Sequence, residues 1–183
     1  MKITAVVGSM RVNGNTEILT DIVLSSAEAA GAEVTKIVLR DGLIQGCDGC
    51  DFCREKGFCK KNDSITNILN ILKESDGILF ASPVYFWSVS AQMKALIDRS
   101  YPLRHTGELR GKIAGFIVVA RRGGTSEAFS LFNNYANLQR MHAAGGVMAY
   151  GNEKGDVLQD IDGVKQAKAL GKAMVKLYNR LYR

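Results

Sequence analysis

The chain has 183 residues, 46% of them hydrophobic, and a formal net charge of +6. That apolar content excludes a disordered chain and suffices for one domain with a sizeable core, expected here over residues 1–183. No apolar run reaches the ~18 residues of a spanning helix, the first residues read as a strand and not a signal peptide, and only two prolines argue against a linker-rich multidomain chain.

Lys2 to Gly8 reads as a buried strand. The loop Gly8-Ser9-Met10-Arg11-Val12-Asn13-Gly14-Asn15-Thr16 is rich in hydroxyl, amide and guanidinium donors, with no acid before Glu17. It precedes a helix, Thr16 to Ala30, whose Ile18, Leu19, Ile22, Val23 and Ala27 fall at helical spacing. A helix N-terminus preceded by such donors suits an anion such as phosphate. The loop is neither a Walker A motif nor G-x-G-x-x-G, and a polar turn with Asn15 or Thr16 as helix cap is the alternative. Glu33 to Leu39 is a second strand.

Next comes a stretch of about residues 41–62, long for a connection and therefore a candidate for function. All four cysteines lie in it. Cys47, Cys50 and Cys53 form C-x2-C-x2-C, and Cys59 follows after five more residues. Clustered thiols in a chain without a secretion signal are metal ligands more often than disulfides, and two bridges in so short a stretch would be strained. Zinc commonly takes paired knuckles from two separate loops. Three ligands from one run suit a larger cubane that offers separate irons to successive thiolates, so a [4Fe-4S] cluster is favoured and zinc is the alternative. The last spacer is longer than in bacterial ferredoxins, and Lys60 stands where they have proline. Arg54, Lys56, Lys60 and Lys61 either offset the cluster's charge or form a solvated rim.

Asp63 or Ser64 caps a helix holding Ile65, Ile68, Leu69 and Leu72. Asp76 to Ser82 is a third strand. In Ser82-Pro83-Val84-Tyr85-Phe86-Trp87-Ser88, three consecutive aromatics at a strand end cannot all face one core, and a flat ligand stacked on one ring explains the rest. Val89 to Ser100 is a helix and Lys112 to Ala120 a fourth strand. Gly123 and Gly124 follow, where glycine permits close backbone approach. Ser126 to His142 is a helix, Gly146 to Tyr150 a fifth strand and Asp160 to Tyr182 a last helix. Five strands alternating with five helices imply an α/β fold with a parallel sheet. Ligands of such sheets sit at the carboxyl ends of the strands. Phosphate at one loop and a planar ring between two others describe an FMN site.

Together, G-S-x-R-x-x-G-N-T, S-P-V-Y, L-x-G-K (Leu109 to Lys112) and the G-G before a helix resemble the flavodoxin-like NADPH-dependent FMN reductases. The compact cysteine insertion resembles the iron–sulfur flavoprotein branch of that superfamily. The resemblance implies a flavodoxin-like three-layer sandwich with strand order 2-1-3-4-5 and helices on both faces. It also implies an FMN and a four-iron cluster per subunit, a homodimer or homotetramer, and electron transfer in anaerobic metabolism. Carried over by position, Ser9, Arg11, Asn13, Asn15 and Thr16 hold the phosphate. Pro83, Val84, Tyr85, Phe86, Trp87 and Ser88 border the ring and ribityl chain, and Gly123 and Gly124 line the ring's far side. Arg121 and Arg122 stand beside those glycines with no assigned role.

The expected function is electron relay between a one-electron donor, such as a small acidic ferredoxin, and an acceptor. The protein supplies binding and potential while the cofactors do the chemistry. No acid, base or nucleophile is required, so His105 and His142 take no catalytic role. The alternative is an NAD(P)H-dependent FMN or quinone reductase with a zinc or vestigial cysteine loop. Nucleic acid is not an expected partner, since helix-turn-helix and zinc-finger spacings are missing. Much of the positive charge lies on the last helix, where Lys165, Lys168, Lys172 and Lys176 share one face and Val164, Ala167, Gly171, Met174, Tyr178 and Leu181 form a buried stripe. A cytoplasmic protein without a membrane partner is expected.

Overall fold

The apolar runs of the sequence become the strands of one parallel sheet in a computed structural model, which describes residues 1–42 and 44–183. The strands are β1 (Lys2–Val7), β2 (Glu33–Val38), β3 (Gly77–Pro83), β4 (Ile113–Ala120) and β5 (His142–Tyr150). They lie in the order β2-β1-β3-β4-β5, every neighbouring pair parallel. This is the flavodoxin-like order, and it reverses direction between β1 and β3. The helices are α1 (Asn15–Ala29), α2 (Phe52–Lys56), α3 (Ile65–Glu74), α4 (Ala91–Arg99), α5 (Tyr101–Thr106), α6 (Thr125–Gln139) and α7 (Ile161–Tyr182).

Alternate residues of the central strands serve opposite faces, as the period of two requires. Val6, Ile78, Phe80, Phe116 and Val118 pack under Leu69, Leu72, Met93, Leu96 and Phe132 of α3, α4 and α6. Ala5, Val7, Leu79, Ala81, Ile117 and Val119 pack on the other side under Leu19, Val23, Leu170 and Met174 of α1 and α7. Both faces of β4 are buried along its whole length, which explains its unbroken apolar run. No helix among the described residues is long and apolar enough to cross a membrane.

The expected elements need correction at several places. His142 belongs to β5 and not to the preceding helix, which ends at Gln139 with Arg140 in the left-handed region at φ 59°. No glycine or proline marks that stop. β5 therefore begins four residues before Gly146, where a Cβ would collide with Phe129 and the Phe116 carbonyl. The helix expected over Val89 to Ser100 runs from Ala91 to Arg99, and a further helix, α5, follows it with Pro102 in its first turn. The cysteine stretch contains the five-residue α2, so the helices outnumber the five expected. Residue 43 of that stretch lies outside the described residues. Leu181, expected in the buried stripe of α7, is exposed.

Candidate functional site

The carboxyl ends of β1, β3 and β4 carry three loops to one edge of the sheet. Ser90 fastens two of them together. Its hydroxyl donates to the Gly8 carbonyl at 2.7 Å, and its backbone N–H donates to Ser82 Oγ at 2.9 Å. The approach is so close that a Cβ on Gly8 would lie 2.8 Å from Ser90 Oγ and 2.9 Å from Met93 Cβ. α1 starts after Gly14, and no side chain caps it. Its first-turn N–H groups have no intrahelical acceptor, so they remain available to an anion.

Ser9, Arg11, Asn15 and Thr16 of the first loop line one cavity of about 300 Å³ with Pro83, Val84 and Tyr85 of the second. Arg121, Val119, Gly151 and Asn152 complete its wall. The Arg11 guanidinium donates to the Asn152 carbonyl at 2.8 Å, which ties it to the loop after β5. Asn15 is buried and its amide is tied to the loop after β5. Its oxygen accepts from the Gly155 amide at 2.8 Å and its nitrogen donates to the Glu153 carbonyl at 2.8 Å. Its backbone N–H, in the first turn of α1, and its second side-chain N–H make no hydrogen bond within the chain among the described residues. Asn13 turns the loop at φ 49° and donates its backbone N–H to Glu17 at 3.0 Å, outside the cavity wall.

Glu17 places a carboxylate in the first turn of α1, beside the anion position. Arg40 hydrogen-bonds it at 2.8 Å and Lys36 at 3.2 Å. The Arg40 bond, against the opposing effect of burial, holds its carboxyl below the usual range. The acid is thereby neutralised by partners on β2 and the turn after it.

Phe86 and Trp87 form the tip of a two-residue turn. Tyr85 and Ser88 exchange backbone hydrogen bonds at 2.9 and 3.1 Å across it. Both central residues are left-handed, at φ 46° and 61°, a mirror-image turn that normally takes Asn or Gly. Phe86 is 94% exposed and Trp87 62%. Gly124, at φ 83°, backs this tip, and a Cβ there would lie 2.9 Å from both Trp87 Cα and Val84 Cγ1. Phe86, Trp87, Ser88, Gly123 and Gly124 thus lie beyond the cavity wall, on its rim or behind it. Arg121 and Arg122 are both exposed, and of the two Arg121 lines the cavity, together with Arg11.

The four cysteines line a second cavity of about 220 Å³ with Lys60, Lys61, Asp98, Arg99 and Tyr101. The loop reaches this shape through left-handed turns at Gly49, Asp51 and Gly57, and through Phe52 edge-on to Phe58 at 5.4 Å. The Gly49 amide donates to Cys47 Sγ at 3.4 Å. Burial pushes the Cys53 thiol up, and Cys59, Cys47 and Cys50 add to that by charge repulsion. Lys61 is committed to the Gly46 carbonyl at 2.6 Å and to Asp48 at 2.5 Å. The described residues contain no group of three ligand side chains gathered around a single-ion position.

Arg99 and Asp63 entered no sequence expectation as site residues. Arg99 is fully buried at the end of α4, and its guanidinium donates to Cys59 Sγ at 3.2 Å. It pairs with Asp63, whose carboxylate accepts backbone N–H groups of Gln45 at 3.0 Å and Ile65 at 3.2 Å. Burial works to raise the Asp63 carboxyl, but Arg99 and the two amides hold it below its usual range. Asp63 therefore caps α3 from two residues before its first turn, and the Ser64 side chain makes no cap bond.

A family model described as NADPH-dependent FMN reductase matches residues 1–155. An iron-sulfur flavoprotein of Methanocaldococcus jannaschii is 36% identical, over 97% of this chain and 97% of its own length. An iron-sulfur flavoprotein of Archaeoglobus fulgidus is 35% identical, over 100% of this chain and 83% of its own. A solved flavodoxin from the domain Archaea superposes with a TM-score of 0.65 at 18% identity, covering 98% of this chain and 99% of that one, and so shares the fold. The strand order, the three loops at the carboxyl edge and these matches lead to one assignment: the chain belongs to the NADPH-dependent FMN reductase family of oxidoreductases, on its iron–sulfur flavoprotein branch.

Proposed function

We propose that the protein holds FMN in the cavity at the strand ends and a [4Fe-4S] cluster on Cys47, Cys50, Cys53 and Cys59, and relays electrons between a one-electron donor and an acceptor. The observation that carries this reading is the arrival of all four cysteines at one cavity, in a chain whose first and third strands end at a second. The cluster supplies single-electron exchange and the flavin accepts one or two electrons.

The residues do the binding. Ser9, Thr16 and the first-turn N–H groups of α1 suit the phosphate, with Arg11 steered there by the Asn152 carbonyl. Asn13 and Asn15 shape the loop. Pro83, Val84 and Tyr85 border the ribityl chain and ring, Phe86, Trp87 and Ser88 cover the ring edge, and Gly123 and Gly124 give the backbone room on its far side. Arg121 adds a second positive charge to the cavity. A small acidic ferredoxin suits the +6 charge as donor. Assembly into two or four copies and a reducing cytoplasmic setting belong to the same proposal.

A second reading, an NAD(P)H-dependent FMN or quinone reductase with a zinc or vestigial cysteine loop, is favoured by the description of the matching family. An anaerobic titration separates the two. The FMN-loaded protein is mixed with NADPH or with a reduced one-electron donor, and flavin absorbance is followed. The relay predicts rapid bleaching by the one-electron donor, lost when all four cysteines are serine. Rapid bleaching by NADPH alone, unchanged in the serine variant, contradicts it.

A further inference from the structure

We propose that Arg99 is the positioning residue for the fourth cysteine and sets the potential of the cluster that Cys59 helps hold; this rests on the cluster reading above. Cys59 is the ligand whose spacing departs from the ferredoxin run. The loop's own turns bring it to the cavity, and a residue forty positions away holds its sulfur there. Arg99 reaches from α4 and donates one terminal N–H group to Cys59 Sγ at 3.2 Å. The other terminal nitrogen donates to the Gln45 carbonyl at 3.1 Å and to Asp63. Asp63 is in turn held by the backbone of Gln45 and Ile65. The fork is thus locked on the carboxylate side and free to hold sulfur on the other.

Two features exceed what a plain buried ion pair explains. Asp63 alone is enough to neutralise Arg99, yet the guanidinium also turns a donor onto sulfur and lines the cysteine cavity. Its Nε is buried and, among the described residues, has no hydrogen-bond partner. A buried charged donor left unpaired is costly, and a sulfide-bearing group in this cavity supplies the acceptor chemistry it lacks. Hydrogen bonds to ligand sulfur favour the more negative, reduced cluster and raise its potential. A lysine keeps the charge but not the planar fork.

The test uses the full chain with FMN bound, reconstituted anaerobically with ferrous iron and sulfide, as wild type, Arg99→Lys, Arg99→Gln and Asp63→Asn. FMN content and melting temperature report folding. Iron content, the cluster's midpoint potential and the rate of iron release to a chelator report the site. Arg99→Lys is expected to load iron at a lower potential than wild type, and Arg99→Gln to release iron about 10-fold faster or more. Asp63→Asn, which loosens the fork without removing it, is expected to fall between. Should Arg99→Gln fail to fold, Arg99→Lys and Asp63→Asn carry the test. Folded variants with wild-type potential and release rate overturn the role of Arg99 and leave the cluster standing. A wild type that takes up no iron overturns both.

Discussion

Asn15 ties the start of α1 to the loop after β5 through both ends of its side-chain amide. Its oxygen accepts from the Gly155 and Val157 amides and one N–H of its nitrogen donates to the Glu153 carbonyl. That loop lies about 140 positions away, so nothing local announces it. Glu17 is similar: an acid in the first turn is legible, its two cationic partners from the second β–turn segment are not. A depressed carboxyl has a definite consequence. The folded value lies below the unfolded one, so Glu17 adds stability above the ordinary glutamate range, and that contribution is lost as pH falls through and below about pH 4. Urea denaturation between about pH 6 and pH 3 should show wild type losing stability more steeply than Glu17→Gln, by roughly 1–2 kcal/mol across the range. Parallel curves would show that Glu17 is not held in its charged form by Arg40.

Elements with strong periodicity were readable, and their ends were not. Val6, Ile78 and Phe80 on one face and Ala5, Val7 and Leu79 on the other make β1 and β3 unmistakable as doubly buried strands. The restart of the chain as α5 carries a local signal, Pro102 in its first turn, whereas the early start of β5 follows from the close packing of Gly146 on Phe129 and the Phe116 carbonyl. The aromatic turn is the clearest conflict between local preference and observed structure. Phe86 and Trp87 both occupy a conformation that costs an ordinary L-residue about 1–2 kcal/mol, while Phe86 contributes almost no buried surface. Strain of this kind gathers where a ligand is to be met. Phe86→Gly should leave urea stability unchanged or raise it by up to about 1 kcal/mol, while weakening FMN binding measured by fluorescence quenching. A large loss of stability, or an unchanged affinity, would mean the tip serves the fold and not the flavin.

At the scale of the molecule, the sheet order turns a sequence of separate loops into two cavities. The residues that line the strand-end cavity could be picked out because any parallel sheet gathers its loops at the carboxyl edge, and the cysteines because their spacing stands out in a chain with no others. Arg99 and Asp63 were not legible. Arginine and aspartate are common, and a separation of 36 positions carries no signal until α4 and the start of α3 are packed together. The positive face of α7 is solvent-exposed at Lys165, Lys168, Lys172 and Lys176, and none of these four lysines lines either cavity. The central claim is that one chain carries both groups. Its most direct test is the count of iron, sulfide and FMN after anaerobic reconstitution, read with the visible spectrum. The account predicts about four iron and four sulfide per chain beside one FMN, with a broad shoulder under the flavin bands. One zinc with no sulfide, or the same iron content when Cys47, Cys50, Cys53 and Cys59 are all serine, would contradict it.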